Sequence, residues 1–88
     1  MYAPNQITDE VDKYWEQYAE ADANTVDKET CKKIVEDSVN YLGSIGSGKT
    51  FDESEFNDKY STSDPMGLEK NVKLVVIGIV TSIINTGL

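Results

Sequence analysis

Residues 14–42 read YWEQYAEADANTVDKETCKKIVEDSVNYL, and the same pattern returns over 56–84 as FNDKYSTSDPMGLEKNVKLVVIGIVTSII. At this offset of 42 positions Tyr18, Val26, Asp27 and Lys28 become Tyr60, Leu68, Glu69 and Lys70. Tyr14 pairs with Phe56, Asp22 with Asp64, Ile34 with Val76, Val35 with Ile77 and Leu42 with Ile84, so the aromatic and aliphatic positions coincide while the residues between them differ. Repetition of this kind marks each copy as one supersecondary unit. Each copy contains an amphipathic helix ending in an aromatic, a polar twelve-residue loop with one aliphatic at its eighth position, and a second apolar helix.

Outward from the repeat, Ile7, Val11, Tyr14, Trp15 and Tyr18 follow helical spacing, with Thr8 as the expected N-cap and the aromatics read as core. A second helix from about Lys28 places Cys31, Ile34, Val35, Ser38, Val39 and Leu42 on its inner face and ends near Gly43. Residues 43–50 are rich in glycine and serine and read as a flexible linker. Phe51 to Tyr60 forms a short acidic helix capped near Asp52, with Phe56 and Tyr60 buried.

This grammar resembles the EF-hand superfamily, in particular a calmodulin-like pair of helix-loop-helix units. The residues that carry the resemblance are Tyr14, Trp15 and Tyr18 with Val26-Asp27-Lys28-Glu29, and Phe56 and Tyr60 with Leu68-Glu69-Lys70. It implies an all-α fold: a single four-helix domain over residues 1–88, with hand one at about 7–42, the linker at 43–50 and hand two at about 51–86. It also implies a short antiparallel β link between the loops, made by Val26 and Leu68.

The loops depart from that family where the metal chemistry lies. A calcium loop presents oxygens at positions one, three, five, seven, nine and twelve, with a bidentate Glu at twelve and Gly at six. Counted from the residue after the aromatic, the first loop offers Ala19, Ala21 and Ala23 at one, three and five, Asn24 at six and Thr30 at twelve. The second offers Ser61, Ser63 and Pro65, then Met66 and Val72. An alanine methyl donates no oxygen, so calcium is not expected at the usual ligand positions and no cofactor is expected. A loop one residue shorter would bring Glu20, Asp22 and Asn24 to alternate positions, with Asp27 nearby, and these four would form a weak calcium-responsive site. The competing reading is that they are solvated loop residues.

Sixteen acids against eight bases leave a net charge of −8, which argues against nucleic acid or an anionic membrane as the main partner and favours a basic or amphipathic helix. The chain has one cysteine, Cys31, and no histidine. A lone thiol, together with an amino terminus lacking the basic and apolar regions of a secretion signal, predicts a reducing, cytoplasmic location. No nucleophile has a recognisable base near it in sequence, and no enzymatic activity is expected. Gly43-Ser-Ile-Gly-Ser-Gly48-Lys49-Thr50 does satisfy the phosphate-loop pattern. That mechanism needs a strand feeding the loop and a helix N-terminus facing the phosphates. Here a polar-faced helix precedes it and Asp52, Glu53, Glu55 and Asp58 follow, so nucleotide binding at 43–50 is a minor alternative that would depend on Lys49.

Val72 to Ile84 is apolar over almost its whole circumference: Val72, Val75, Val76, Ile79, Val80 and Ile83 form one wide face, and Leu74 and Ile77 interrupt the polar side. A helix apolar all round is buried on more than one side. The segment falls short of a membrane span. Its β-branched residues would also suit a strand, and packing within the domain could cover much of it. The expected function is a calcium-independent interaction or structural module that takes a partner helix, or a second copy, in an apolar groove formed by Val39, Leu42, Val76, Ile77, Val80 and Ile84, with Trp15 and Tyr18 as its aromatic floor. The groove is rich in stiff valine and isoleucine, while Met1 and Met66 lie outside it, which favours one dedicated partner.

Overall fold

The computed structural model describes residues 3–19, 26–63 and 71–86. It is all-helical: α1 spans Pro4–Tyr18, α2 Lys28–Leu42, α3 Glu53–Ser63 and α4 Val72–Asn85. Among the described residues there is no strand. Val26 is half-buried and packs against the core, while its repeat counterpart Leu68 lies outside the described residues, as do Glu69 and Lys70.

Helix α1 starts four residues ahead of the expected cap at Thr8. Pro4 occupies the first helical position, where its fixed φ suits the helix and its missing N–H is no loss. Ala3 precedes it, and its N–H donates to Gln6 Oε1 at 2.9 Å, half of a capping box. Ile7, Val11, Trp15 and Ala19, spaced by four, form the buried stripe, and Tyr14 and Tyr18 flank it half-exposed.

Helix α2 begins where Asp27 Oδ1 accepts the Thr30 N–H at 2.9 Å. That bond holds the Asp27 carboxyl below its ordinary value, because it favours the charged form. The six inner-face residues expected from periodicity, Cys31, Ile34, Val35, Ser38, Val39 and Leu42, are all buried. Ser38 sits where the repeat has Val80, and its hydroxyl is fully enclosed without a hydrogen-bond partner among the described residues. A buried hydroxyl without a partner loses its water for nothing in return. Ser38→Ala is therefore expected to stabilise the domain by about 1 kcal/mol, raising the melting temperature by roughly 4–8 °C in a domain of this size. A lower melting temperature in circular dichroism would show that the hydroxyl does have a partner.

The linker is less free than its composition suggests. Gly43–Ser47 extends α2 as a wide turn that leaves helical geometry at Gly46 (φ 164°, ψ −37°) and is closed by the Gly48 N–H donating to the Gly43 carbonyl at 3.1 Å. Gly48 ends the turn at φ 71°, in the left-handed region that favours glycine. A Cβ on Gly43 would lie 1.8 Å from the Lys49 carbonyl oxygen, so only glycine lets the chain double back there. The Phe51 N–H then donates to Asn40 Oδ1 at 2.9 Å, tying the end of the turn to α2.

Asp52 caps α3 through the Glu55 N–H at 3.1 Å, as the sequence suggests. The helix runs on beyond Tyr60 to Ser63, however, so Ser61 and Ser63 are helical and not loop positions one and three. Asn71 caps α4 through the Leu74 N–H at 3.2 Å. The β-branched run of α4 is a helix because it has partners on several sides: α4 packs against α1, α2 and α3, which explains its nearly unbroken apolar circumference. Val72, Val76, Ile79, Val80, Ile83 and Ile84 are its buried residues. The Lys73 ammonium reaches Asp12 Oδ1 at 2.7 Å and joins α4 to α1 at the surface.

Candidate interaction surface

Of the eight residues expected to form an open groove, Trp15, Val39, Leu42, Val76, Val80 and Ile84 are at most 4% exposed. They belong to the buried interior of the bundle, and among the described residues no groove lies open between them. These six are enclosed because α4 lies against three helices of its own chain, and full burial of each such side chain is worth about 1.5–3 kcal/mol within the fold. Ile77 and Tyr18 remain half-exposed, and they do not share a surface role.

Tyr18 belongs to the seam between α1 and α2. Its hydroxyl donates to Asp37 Oδ2 at 2.7 Å, and this bond to the protonated phenol raises its pKa. The Tyr14 and Tyr18 rings stack with centroids 6.4 Å apart. The Lys33 ammonium lies 5.7 Å from the Tyr18 centroid, and the Lys13 ammonium lies 5.1 Å and 5.2 Å from those of Tyr14 and Tyr41. This ladder fixes α1 antiparallel to α2 and uses the aromatic faces internally.

The exposed apolar side chains are elsewhere. Leu74 is 64% exposed, Ile45 52% and Tyr41 41%. On α4 the helical period sets Leu74, Ile77, Gly78, Thr81 and Asn85 along one stripe. Thr81 turns its hydroxyl back onto the Ile77 carbonyl at 2.8 Å, so it adds little polarity to that stripe. Gly78 is exposed, and a Cβ there would meet nothing within 4 Å. Neither backbone geometry nor crowding within the domain calls for a glycine at 78, although mid-helix glycine costs about 0.5–1 kcal/mol relative to alanine. The result is a notch on the helix face with a leucine beside it. The sequence carried this signal, since Leu74 and Ile77 break the polar side of α4, but the buried face drew the assignment away from it.

No family model, curated protein or solved structure matches the chain. The α4 stripe is therefore read on its own chemistry.

Three other features of the sequence remain. Glu20, Asp22 and Asn24 lie outside the described residues, and Asp27, the fourth ligand of the weak calcium site, uses its carboxylate to cap α2. Among the described residues no three His, Cys, Asp or Glu side chains gather around a point that would hold an ion. The phosphate-loop-like segment 43–50 follows the C-terminal end of α2, the negative end of the helix dipole, and the Gly48 N–H closes on the Gly43 carbonyl. Cys31 is a free, buried thiol, pushed up to about 11 by burial and by the Asp27 carboxylate, which keeps it protonated and unreactive at neutral pH. Among the described residues no helix is long and apolar enough to cross a membrane.

Proposed function

We propose that this chain is a calcium-independent, EF-hand-like interaction or structural module that receives a partner helix along the Leu74, Ile77 and Gly78 stripe of α4. The observation that carries the proposal is the pairing of a 64% exposed leucine with an exposed mid-helix glycine that the fold itself does not require. A glycine without a Cβ lets another backbone approach closely, and the leucine beside it supplies apolar contact area. The net charge of −8 favours a partner helix with a basic outer face. The pairing of the two helix-loop-helix units through a Val26–Leu68 link is part of the same proposal, as is a cytoplasmic setting.

The test separates docking from stability. Gly78→Ala is expected to raise the melting temperature of the free protein, by the roughly 1 kcal/mol of helix propensity gained, while weakening the partner by filling the notch. Leu74→Asp is expected to leave folding intact and to abolish retention of partner proteins from native extract, read by mass spectrometry against the wild type. Ile77→Asp should lose the same proteins. If both Leu74→Asp and Gly78→Ala retain every protein that the wild type retains, the stripe is not the docking surface.

A further inference from the structure

We infer that the segment Phe51–Ser63 is a hinged lid, which lifts from the apolar surface of α4 as a unit while α1, α2 and α4 stay assembled. Those three helices pack on one another pairwise, α1 with α2, α2 with α4 and α1 with α4, so their core is closed without α3. Helix α3 meets chiefly α4. Its share of the interior is correspondingly small. Helices α2 and α4 each bury six residues, and α1 buries Ile7, Val11 and Trp15. Among the described side chains of α3 the fully buried one is Phe56.

The contacts of Phe56 include two that move with it. Its ring sits 6.0 Å from that of Phe51 and 5.6 Å from that of Tyr60, both within the lifting segment. Opening therefore keeps this aromatic cluster and gives up its contact with α4, together with the packing of the half-buried Phe51 and Tyr60 against the core. Ties to α2 are of the exposed kind: the Phe51 N–H donating to Asn40 Oδ1 at 2.9 Å, Lys32 Nζ to Glu53 Oε1 at 3.4 Å, and the Lys28 ammonium 5.2 Å from the Tyr60 centroid. Such surface pairs hold a position without adding much stability. The segment would pivot where it leaves the closed turn of Gly43–Gly48, after Lys49. Segments with few buried apolar contacts open at lower free energy than the rest of a fold.

The opened lid would extend the docking stripe of α4 with further apolar surface, and in that purpose alone the inference rests on the function proposed above. The experiment uses the free chain, so its outcome is independent of any partner. Hydrogen exchange followed residue by residue should show α3 amides exchanging about 100-fold faster than the most protected amides of α2 and α4, as expected of a separate opening unit. In Phe56→Ala, α3 should lose its protection, while α2 and α4 change less than about tenfold. Equal protection in all four helices of the wild type would overturn the inference. So would a Phe56→Ala protein in which α1, α2 and α4 lose protection together with α3.

Discussion

Trp15→Ala is expected to lose about 3–5 kcal/mol of stability, the range found when a large aromatic is removed from a packed core. Trp15 is 4% exposed and shares the buried stripe of α1 with Ile7, Val11 and Ala19. A chain of 88 residues at the usual 0.05–0.15 kcal/mol per residue has roughly 4–13 kcal/mol in total, so this one change removes a large part of it. The cavity would be lined by aliphatic side chains held by three helices, which limits how far it can collapse. Thermal unfolding by circular dichroism is the measurement. A fall of less than about 5 °C, corresponding to roughly 1 kcal/mol at this size, would place the indole outside the core. The same result bears on interaction studies: a Trp15 variant that loses a partner does so through its fold.

The second large effect comes from one substitution at two positions of the same helix. Val80→Asp puts a carboxylate at a fully buried site, where a charge without a partner is among the most damaging changes a core can receive, at several kcal/mol. Burial raises the folded-state pKa of such an aspartate above its unfolded value of about 3.9. Stability is then greatest below the unfolded pKa, where the group is neutral in both states, and is lost as pH rises through the folded pKa. Val80→Asp should thus be far less stable at pH 7 than near pH 4, relative to the wild type at each pH. Leu74→Asp should change stability by less than about 0.5 kcal/mol, as at ordinary surface sites. Leu74 lies in the first turn of α4, where a negative charge is favoured by the helix dipole. Urea titrations of both variants at the two pH values test the contrast. Equal destabilisation by the two changes would mean that α4 is rotated from the orientation described.

The parts of this architecture that were legible in the sequence are those governed by local chemistry. The inner face of α2 follows from its 3.6-residue period, and the cap at Asp52 follows from residue type just ahead of a helix. The start of α1 did not, because Pro4, Asn5 and Gln6 lie outside the amphipathic pattern and the helix is opened by the proline's backbone geometry. The join at 43–50 misled for a different reason. Glycine content signals conformational freedom, but the close approach of Gly43 to the Lys49 carbonyl is a contact that composition does not encode. Periodicity identifies which residues avoid water, not whether a neighbouring helix or a partner covers them. Val76 and Leu74 look alike on that scale, yet one is sealed and the other is open.

The helix that holds the other three together is also the one synthesised after them. When α1 and α2 have left the ribosome they can already pair through Tyr14, Tyr18, Asp37 and Tyr41, but the side of that hairpin destined for α4 has nothing to rest on. At about 5–20 residues per second, translating the 14 residues of α4 takes on the order of a second, during which Ile34, Val35, Val39 and Leu42 lack their full cover. A transcript that stops short of Val72 would release a product with that side permanently bare, a substrate for chaperones and proteases and not a smaller working version of the domain.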